Sequence, residues 1–410
     1  MVAVSRLLFD QTVNGRTCQF FVHPDEPRCS VAILKLVGTA LKGSAKYFFL
    51  MYVAQNVIKY KTLSKDDIRP IGFSYIRSIV FGVWALCSTV GVICLCRNLR
   101  GKLDRDIVAY AAGATGGCGV YFDDPRRRPV VSYTLSALAV EALFRRLYKK
   151  VKRRIPLETI GFMILNAILM YKMRASDVAA YKRDVWFYRP PRIKKNKKVE
   201  ETVDSETGET LLNACPHAEN GSTAKQCYDN VMKETTRYYI GGMLFSAAKL
   251  LFTKPKLRRH PLSFLRALFQ WSNMRLACFF GWYIGVYKTI SCCLCRWTKQ
   301  DKAEYALLAG FFSGLSYGIN TNLTILGSLV LYVSRILGRE VQEKYQLPRF
   351  HFMELSAILG LMTLINTRIF DPDSCPGGFR TMVDGLSEMK LECLFSRFMS
   401  EVEKQRRTTS

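Results

Sequence analysis

The sequence predicts an all-α, multi-pass helical membrane protein built from two tandem copies of a module of about five helical segments. Three observations lead to this fold class: a short motif that recurs, a long run without charge, and glycine patterns that follow each copy of the motif. Repeats are considered first, because a missed duplication changes every later assignment.

The recurring motif is Cys-Leu-Cys-Arg, at residues 94–97 and again at 293–296. A Phe-Gly pair stands thirteen residues before each copy, and an Ala-Gly pair follows each copy. The offset between the copies is 199 residues up to the arginine and 197 residues after it. Anchors that match in order over such a length indicate an internal duplication, which is common in membrane proteins.

The membrane assignment rests on residues 78–96, a run of nineteen residues without charge between Arg77 and Arg97. About 20 apolar residues span the hydrocarbon core of a bilayer. Similar segments in the first half lie near 31–58, 72–97, 106–122, 129–148 and 156–174, and those of the second half near 232–253, 272–297, 303–319, 321–338 and 350–368. The predicted organisation is a Cys/His-containing preamble (1–30), a first membrane repeat (31–174), a basic and polar linker with the second Cys/His preamble (175–230), a second repeat (231–370) and a polar C-terminal tail (371–410).

The net charge of +27 is concentrated beside the ends of the apolar segments, for example in residues 145–154 and 194–198. Basic residues there favour contact with anionic lipid head groups, at about 1 kcal/mol per Lys or Arg near the surface. The sequence therefore predicts membrane lipids as partners and no nucleic acid.

Small residues four positions apart predict tight helix packing, since they let helix backbones approach closely where water provides no driving force. Three such pairs are considered: Gly113 and Gly117, Gly281 and Gly285, and Gly310 and Gly314. The first and third stand at corresponding places in the two halves.

Charged residues inside or beside the apolar segments are candidates for helix pairing or for a transport pathway. Arg97 with Asp104, and Arg296 with Asp301, either form an ion pair at a helix corner or are two solvated helix ends. Lys288 lies too centrally in its segment for its ammonium to reach the head groups easily. Glu141 has Arg145 four residues on, the spacing of a pair within one helix.

Each half also offers two cysteines and one histidine before its first long segment: Cys18, His23 and Cys29, then Cys215, His217 and Cys227. Zinc takes four such ligands, usually at short spacing. Neither half has that spacing, so a metal site is expected to require both preambles to meet. Metal binding, disulfides and unmodified thiols stay open, and no metal ligand is assigned. The other membrane-segment cysteines, Cys94 and Cys292 among them, are interpreted as small packing residues.

The sequence predicts no enzyme and no cofactor. It has four histidines in all, and it lacks a metalloprotease, nucleophile-elbow or phosphate-binding-loop motif. The alternatives are a non-enzymatic regulator whose basic loops recruit partners or lipids, and a channel or carrier for metabolites or lipids.

Residues 261–340 resemble the transmembrane protein 135 family, through Pro261 to Leu265, Tyr287-Lys288, Arg296-Trp297 and the stretch 309–316. The preamble with His23-Pro24 and Cys29 is similar to that family's cysteine-rich region. The glycine-rich segments are also similar to the mitochondrial inner-membrane translocase channels and small peroxisomal membrane proteins.

This resemblance implies a multi-pass protein of mitochondrial and peroxisomal membranes. It implies that the protein promotes mitochondrial fission through the dynamin-like fission GTPase, with links to lipid metabolism and peroxisome organisation. The implied partners are that GTPase and the peroxisomal membrane-protein insertion machinery, and the family supplies no catalytic residues.

Overall fold

The computed structural model describes most of the chain. The described residues are 6–13, 15–58, 68–175, 186–191, 193, 201–203, 210–212, 215, 217, 223–253, 260–346, 352–388 and 390–409. The basic stretch 192–198 lies outside them, apart from Ile193.

The described residues are helical, apart from connections and a short antiparallel hairpin of β1 (Glu201–Val203) and β2 (Thr210–Leu212). They form two compact units, Met1–Lys152 with Pro348–Ser410, and Arg153–Leu347. The helices of the first unit are α1 (Arg6–Val13), α2 (Cys18–Phe21), α3 (Cys29–Ile58), α4 (Ile68–Arg100), α5 (Ala112–Gly117), α6 (Arg128–Lys150), α13 (Phe352–Phe370), α14 (Gly377–Leu386) and α15 (Lys390–Thr409). Those of the second unit are α7 (Ile155–Ala175), α8 (Ala224–Thr253), α9 (Pro261–Leu268), α10 (Trp271–Thr298), α11 (Tyr305–Ser313) and α12 (Leu323–Lys344).

Both glycine-rich helices change their winding. A π-helical turn, Ile107–Ala111, precedes α5, and the 3-10 turn Cys118–Phe122 follows it. In the second unit the 3-10 turn Gly314–Gly318 follows α11. Such changes are short because their hydrogen-bond geometry is poorer than that of an α-helix.

The core of the first unit lies where α13 crosses α5 and α6. Leu361 and Leu364 of α13 are buried with Leu135 of α6 and Phe81 of α4. Between membrane helices such side chains contribute through van der Waals packing rather than through removal from water. A helix from the end of the chain therefore completes the unit formed by the first half.

The core of the second unit lies around α7, which packs against α11 and α12. Phe162 of α7 stacks on Tyr317, with ring centroids 4.8 Å apart, and meets Phe279 of α10 edge to face. All three rings are fully buried. A helix from the first half of the sequence thus belongs to the unit formed by the second half.

Four helical stretches are long and apolar enough to cross a membrane, within the described part of the chain. They are Arg69–Arg100, Ile155–Ala175, Trp271–Thr298 and Phe352–Phe370. These correspond to the second and fifth predicted segments of each half. The all-helical prediction is confirmed, and the length and composition of these four helices indicate a membrane protein.

The helices lie close to the predicted segments, but the compact units divide the chain differently from the predicted repeats. The fifth predicted segment of the first half is α7, which belongs to the second unit. The fifth predicted segment of the second half is α13, which belongs to the first unit. Residues 371–410, expected as a polar tail, form α14 and α15. Phe398 and Val402 of α15 are buried with Phe9 and Val13 of α1, because apolar residues four apart share one helix face.

Candidate functional site

The first candidate site is a cluster of Cys18, His23, Cys29 and Cys94, called here the first cluster. Its four ligand atoms all lie within 4.8 Å of one another, and the Cys18 and Cys29 sulfurs are 3.3 Å apart. Cys18, His23 and Cys94 are buried, and Cys29 is half-buried. Burial and the neighbouring Cys29 raise the pKa of the Cys18 thiol.

The second cluster has the same composition: Cys215, His217, Cys227 and Cys292. The Cys215 and Cys227 sulfurs are 3.6 Å apart, and the Cys292 sulfur is 3.6 Å from Nδ1 of His217. The three cysteines are buried and the histidine is half-buried. Each unit therefore contains one Cys₃His cluster within its own residues.

The fourth group of each cluster comes from a long helix. Cys94 lies six residues before the last residue of α4, Arg100, and Cys292 lies six residues before the last residue of α10, Thr298. These two helices hold their cysteine at the same depth from the helix end. In the first cluster the preamble packs against this part of α4, where Cys18 is buried with Val90 and Cys94.

The histidines each present one nitrogen without a hydrogen-bond partner. His23 Nδ1 donates to the carbonyl oxygen of Glu26 at 2.7 Å. In the neutral imidazole, Nε2 is then the nitrogen without a proton. Nε2 of His23 and Nε2 of His217 are both buried and lack a partner. Buried polar atoms are normally satisfied, so these two nitrogens require an explanation.

The clusters correct the expectation that both preambles must meet to complete a four-ligand set. The fourth group lies in the same unit as the preamble: it is Cys94 in the first cluster and Cys292 in the second. The sequence analysis interpreted both cysteines as packing residues. The motif alignment pairs Cys94 with Cys293, but Cys293 is exposed and its neighbour Cys292 occupies the site. The missed signal is a spacing: Cys29 to Cys94 and Cys227 to Cys292 both span 65 residues.

The glycine pattern of the first unit makes the close approach that the sequence predicts. A Cβ on Gly113 would lie 2.6 Å from Cα of Met362, and one on Gly117 would lie 2.7 Å from Cα of Ile358. Both neighbours are backbone atoms of α13, so any side chain would push the helices apart.

Gly310 and Gly314 make the equivalent approach in the second unit, against α7. A Cβ on Gly310 would lie 3.0 Å from Cα of Ala167, and one on Gly314 would lie 2.7 Å from Cα of Met163. α13 therefore packs on the glycine pattern of the first unit, and α7 packs on that of the second unit. Each of these helices comes from the opposite half of the sequence.

The third glycine pattern packs α10 against α8 more loosely. Cβ atoms on Gly281 and Gly285 would lie 3.3 Å from Cβ of Tyr239 and 3.0 Å from Oγ1 of Thr235. In the same interface Lys288 donates to Oδ1 of Asn230 at 2.9 Å and lies 3.8 Å from a carboxylate oxygen of Glu234. Lys288 therefore links two helices within one unit.

The arginines and aspartates at the helix corners contact several different groups. Arg97 donates to the carbonyl oxygen of Arg16 at 3.3 Å, and Asp104 is 3.7 Å from Arg100. Asp104 also accepts from the backbone N–H of Asp106 at 2.9 Å, which fixes the start of the following helix.

In the second unit, Arg296 points a guanidinium nitrogen to the Cys227 sulfur at 3.7 Å. Asp301 forms an ion pair with Arg174, whose side chain is fully buried. Arg174 also donates to the Ser291 hydroxyl at 3.2 Å. Sequence analysis did not predict this pairing, because Arg174 is 127 residues away from Asp301.

The predicted pair of Glu141 and Arg145 is confirmed, with a nitrogen–oxygen distance of 2.7 Å. Glu141 is buried in α6, and its carboxylate accepts two hydrogen bonds from Arg145. Its position inside an apolar segment is explained by this pairing.

Fold and site together define an all-helical protein with four helices that are long and apolar enough to cross a membrane and with two Cys₃His clusters. In comparisons with known proteins, no family model matches this chain and no solved structure matches it.

Proposed function

We propose that this chain is a non-enzymatic, multi-pass membrane protein of mitochondria and peroxisomes, built from two copies of one helical module. In this proposal it promotes mitochondrial fission through the dynamin-like GTPase and takes part in peroxisome organisation and lipid metabolism. The four apolar helices, which occupy the second and fifth positions of both halves, are the observation that carries the membrane part.

Two further features support the duplication. The glycine patterns at Gly113 and Gly310 pack against helices at corresponding places in the two halves, α13 and α7. Each Cys₃His cluster combines three preamble residues with one cysteine of a long helix, α4 or α10. The duplicated module then exchanges its fifth helix between halves. Organelle, partner and process come from the family resemblance of residues 261–340.

A cavity of about 150 Å³ in the first unit would accept a small apolar group, such as the end of an acyl chain, rather than a charged metabolite. Apolar side chains such as Val90, Ile93, Leu361 and Phe379 line it. Apolar cavities of this size stay dry and accept apolar molecules. Arg368, the charged residue in its wall, is 3.3 Å from the carboxylate of Asp384. A channel or carrier for metabolites or lipids is the second candidate function, and the apolar cavity favours an apolar ligand.

The test is to express the chain in cells and measure mitochondrial length, with and without a dominant-negative form of the fission GTPase. The proposal expects fragmentation that the inactive GTPase abolishes. Gly117→Leu, which disrupts the packing on α13, is expected to lose the effect at equal expression. Gly72→Leu is the matched control, because nothing lies within 4 Å of a Cβ at Gly72.

An unchanged network with the wild-type chain would overturn the fission proposal. The carrier candidate would then be tested by lipid transfer between liposomes that contain the purified protein. Loss of transfer on filling the cavity, as in Val90→Trp, would support that second function.

A further inference from the structure

We propose that each Cys₃His cluster binds one zinc ion as a structural site, so that the chain holds two zinc ions. The ligands are Cys18, His23, Cys29 and Cys94 in the first cluster, and Cys215, His217, Cys227 and Cys292 in the second. This inference stands independently of the fission proposal.

The distances between the ligand atoms fit a tetrahedron. Zinc–sulfur bonds of about 2.3 Å place two sulfurs of a tetrahedral site about 3.8 Å apart. The sulfur pairs are 3.3 Å and 3.6 Å apart, and the sulfur–nitrogen distance in the second cluster is 3.6 Å. A disulfide requires about 2.05 Å and would leave the other two groups unused.

The hydrogen bonding of the histidines is compatible with metal binding. His23 donates from Nδ1 to a backbone carbonyl, the arrangement that commonly orients a metal-binding imidazole and leaves Nε2 for the ion. Nε2 of both histidines is buried without a hydrogen-bond partner. A bound cation would satisfy Nε2 of His23, which otherwise carries an uncompensated desolvation cost. In the second cluster the nitrogen that lies near a cluster sulfur is Nδ1 of His217.

Three soft sulfur ligands and one imidazole select zinc over magnesium and calcium, which prefer oxygen ligands. Four protein ligands complete the coordination shell and leave no open position for water, which makes the site structural rather than catalytic. Three thiolates and one neutral imidazole give a zinc site a charge of −1. Arg296, at 3.7 Å from the Cys227 sulfur, offsets that charge in the second cluster.

Recurrence is the second independent observation. The two clusters share composition, helix position and the 65-residue span between the third and fourth ligands. The spans between the other ligands differ, five and six residues against two and ten. The four groups therefore meet although the connecting loops differ, as expected if one ion draws them together.

The experiment measures the metal content of the full chain, purified in detergent under reducing conditions without a metal-affinity step. We expect two zinc ions per chain in the wild type, and one each in Cys94→Ser and Cys292→Ser. Cys96→Ser and Cys293→Ser are the matched controls and should keep two ions. The remaining ion in each single variant shows that the unit with the unchanged cluster has folded.

Cobalt substitution of the wild-type protein provides a readout that needs no variant. Two equivalents of Co²⁺ should produce thiolate-to-cobalt charge-transfer absorption typical of tetrahedral sulfur coordination. A wild-type chain without zinc that also shows no such absorption overturns the proposal. So does mass spectrometry that finds Cys18–Cys29 and Cys215–Cys227 disulfides, or ion counts that the Cys94 and Cys292 variants do not change.

Discussion

The side-chain amide of Asn166 donates a hydrogen bond of 2.6 Å to the backbone carbonyl of Gly310, a residue 144 positions later. The same amide donates to the Ser313 hydroxyl at 3.1 Å, and its oxygen accepts from the Tyr283 hydroxyl at 2.6 Å. Asn166 is fully buried. One side chain of α7 thereby joins α10 and α11, and fixes the fifth helix of the first half in the second unit.

Replacing Asn166 by leucine is expected to destabilise the second unit by about 2 kcal/mol, because it leaves buried hydrogen-bonding groups unsatisfied. The measurement is thermal unfolding of the purified protein in detergent. Ile164→Ala is the control, because Ile164 lies on the same helix and is 48% exposed. Equal unfolding temperatures for the wild type and Asn166→Leu would contradict this role.

Gly314→Ala is expected to cost about 1–3 kcal/mol, the usual cost of overpacking a well-packed interface. The new methyl group would meet the Met163 backbone at 2.7 Å. Gly318→Ala is the matched control four residues on, since nothing lies within 4 Å of its Cβ position. That control should be neutral or slightly stabilising, because alanine loses less backbone entropy than glycine. If both variants behave alike in thermal unfolding, the close approach at Gly314 is not what holds α7.

The helices could be predicted from sequence because their signals are local. The uncharged run 78–96 lies within α4, and Asn322 caps α12 by accepting from the Thr324 N–H at 2.8 Å. Such signals act over a few residues. The glycine patterns were equally visible, since residues four apart share a helix face.

Local signals do not predict that α7 and α13 each pack in the unit formed by the opposite half. They also do not predict which cysteine is the fourth ligand of each cluster. Gly310 shows that some helix approaches closely, but nothing local identifies Ala167 as its neighbour. Cys292 and Cys293 are adjacent in sequence, and helical periodicity does not show which one faces the preamble, although the equal 65-residue spans point to Cys292. These features depend on tertiary packing, which sequence periodicity does not encode.

Arg174→Met is expected to destabilise the second unit by about 3–5 kcal/mol, because it leaves the Asp301 carboxylate without its buried ion-pair partner. Adding Asp301→Asn to that variant should recover most of the loss, since the uncompensated charge is then gone. A double-mutant cycle by denaturant unfolding measures the coupling between the two residues. A coupling near zero would contradict the pairing.

Lys288→Met tests whether Lys288 serves transport or helix packing. Its contacts with Asn230 and Glu234 link α8 to α10, so a regulator should tolerate the change with a modest loss of stability. Mitochondrial fragmentation by the variant, at matched expression, should equal that of the wild type. A carrier that uses Lys288 would lose flux in liposomes instead, and a variant that fragments mitochondria normally but transports nothing would favour that second function.

Removal of zinc from the proposed sites is expected to lower the unfolding temperature, and readdition should restore it. The reason is that binding to a site absent from the unfolded chain contributes directly to folding free energy. Because the clusters share no ligand and lie in different units, the losses from Cys94→Ser and Cys292→Ser should add in the double variant. A strong chelator should then have no further effect on the double variant, while it still destabilises Cys293→Ser. A double variant that remains as sensitive to the chelator as the wild type would place the stabilising ions elsewhere.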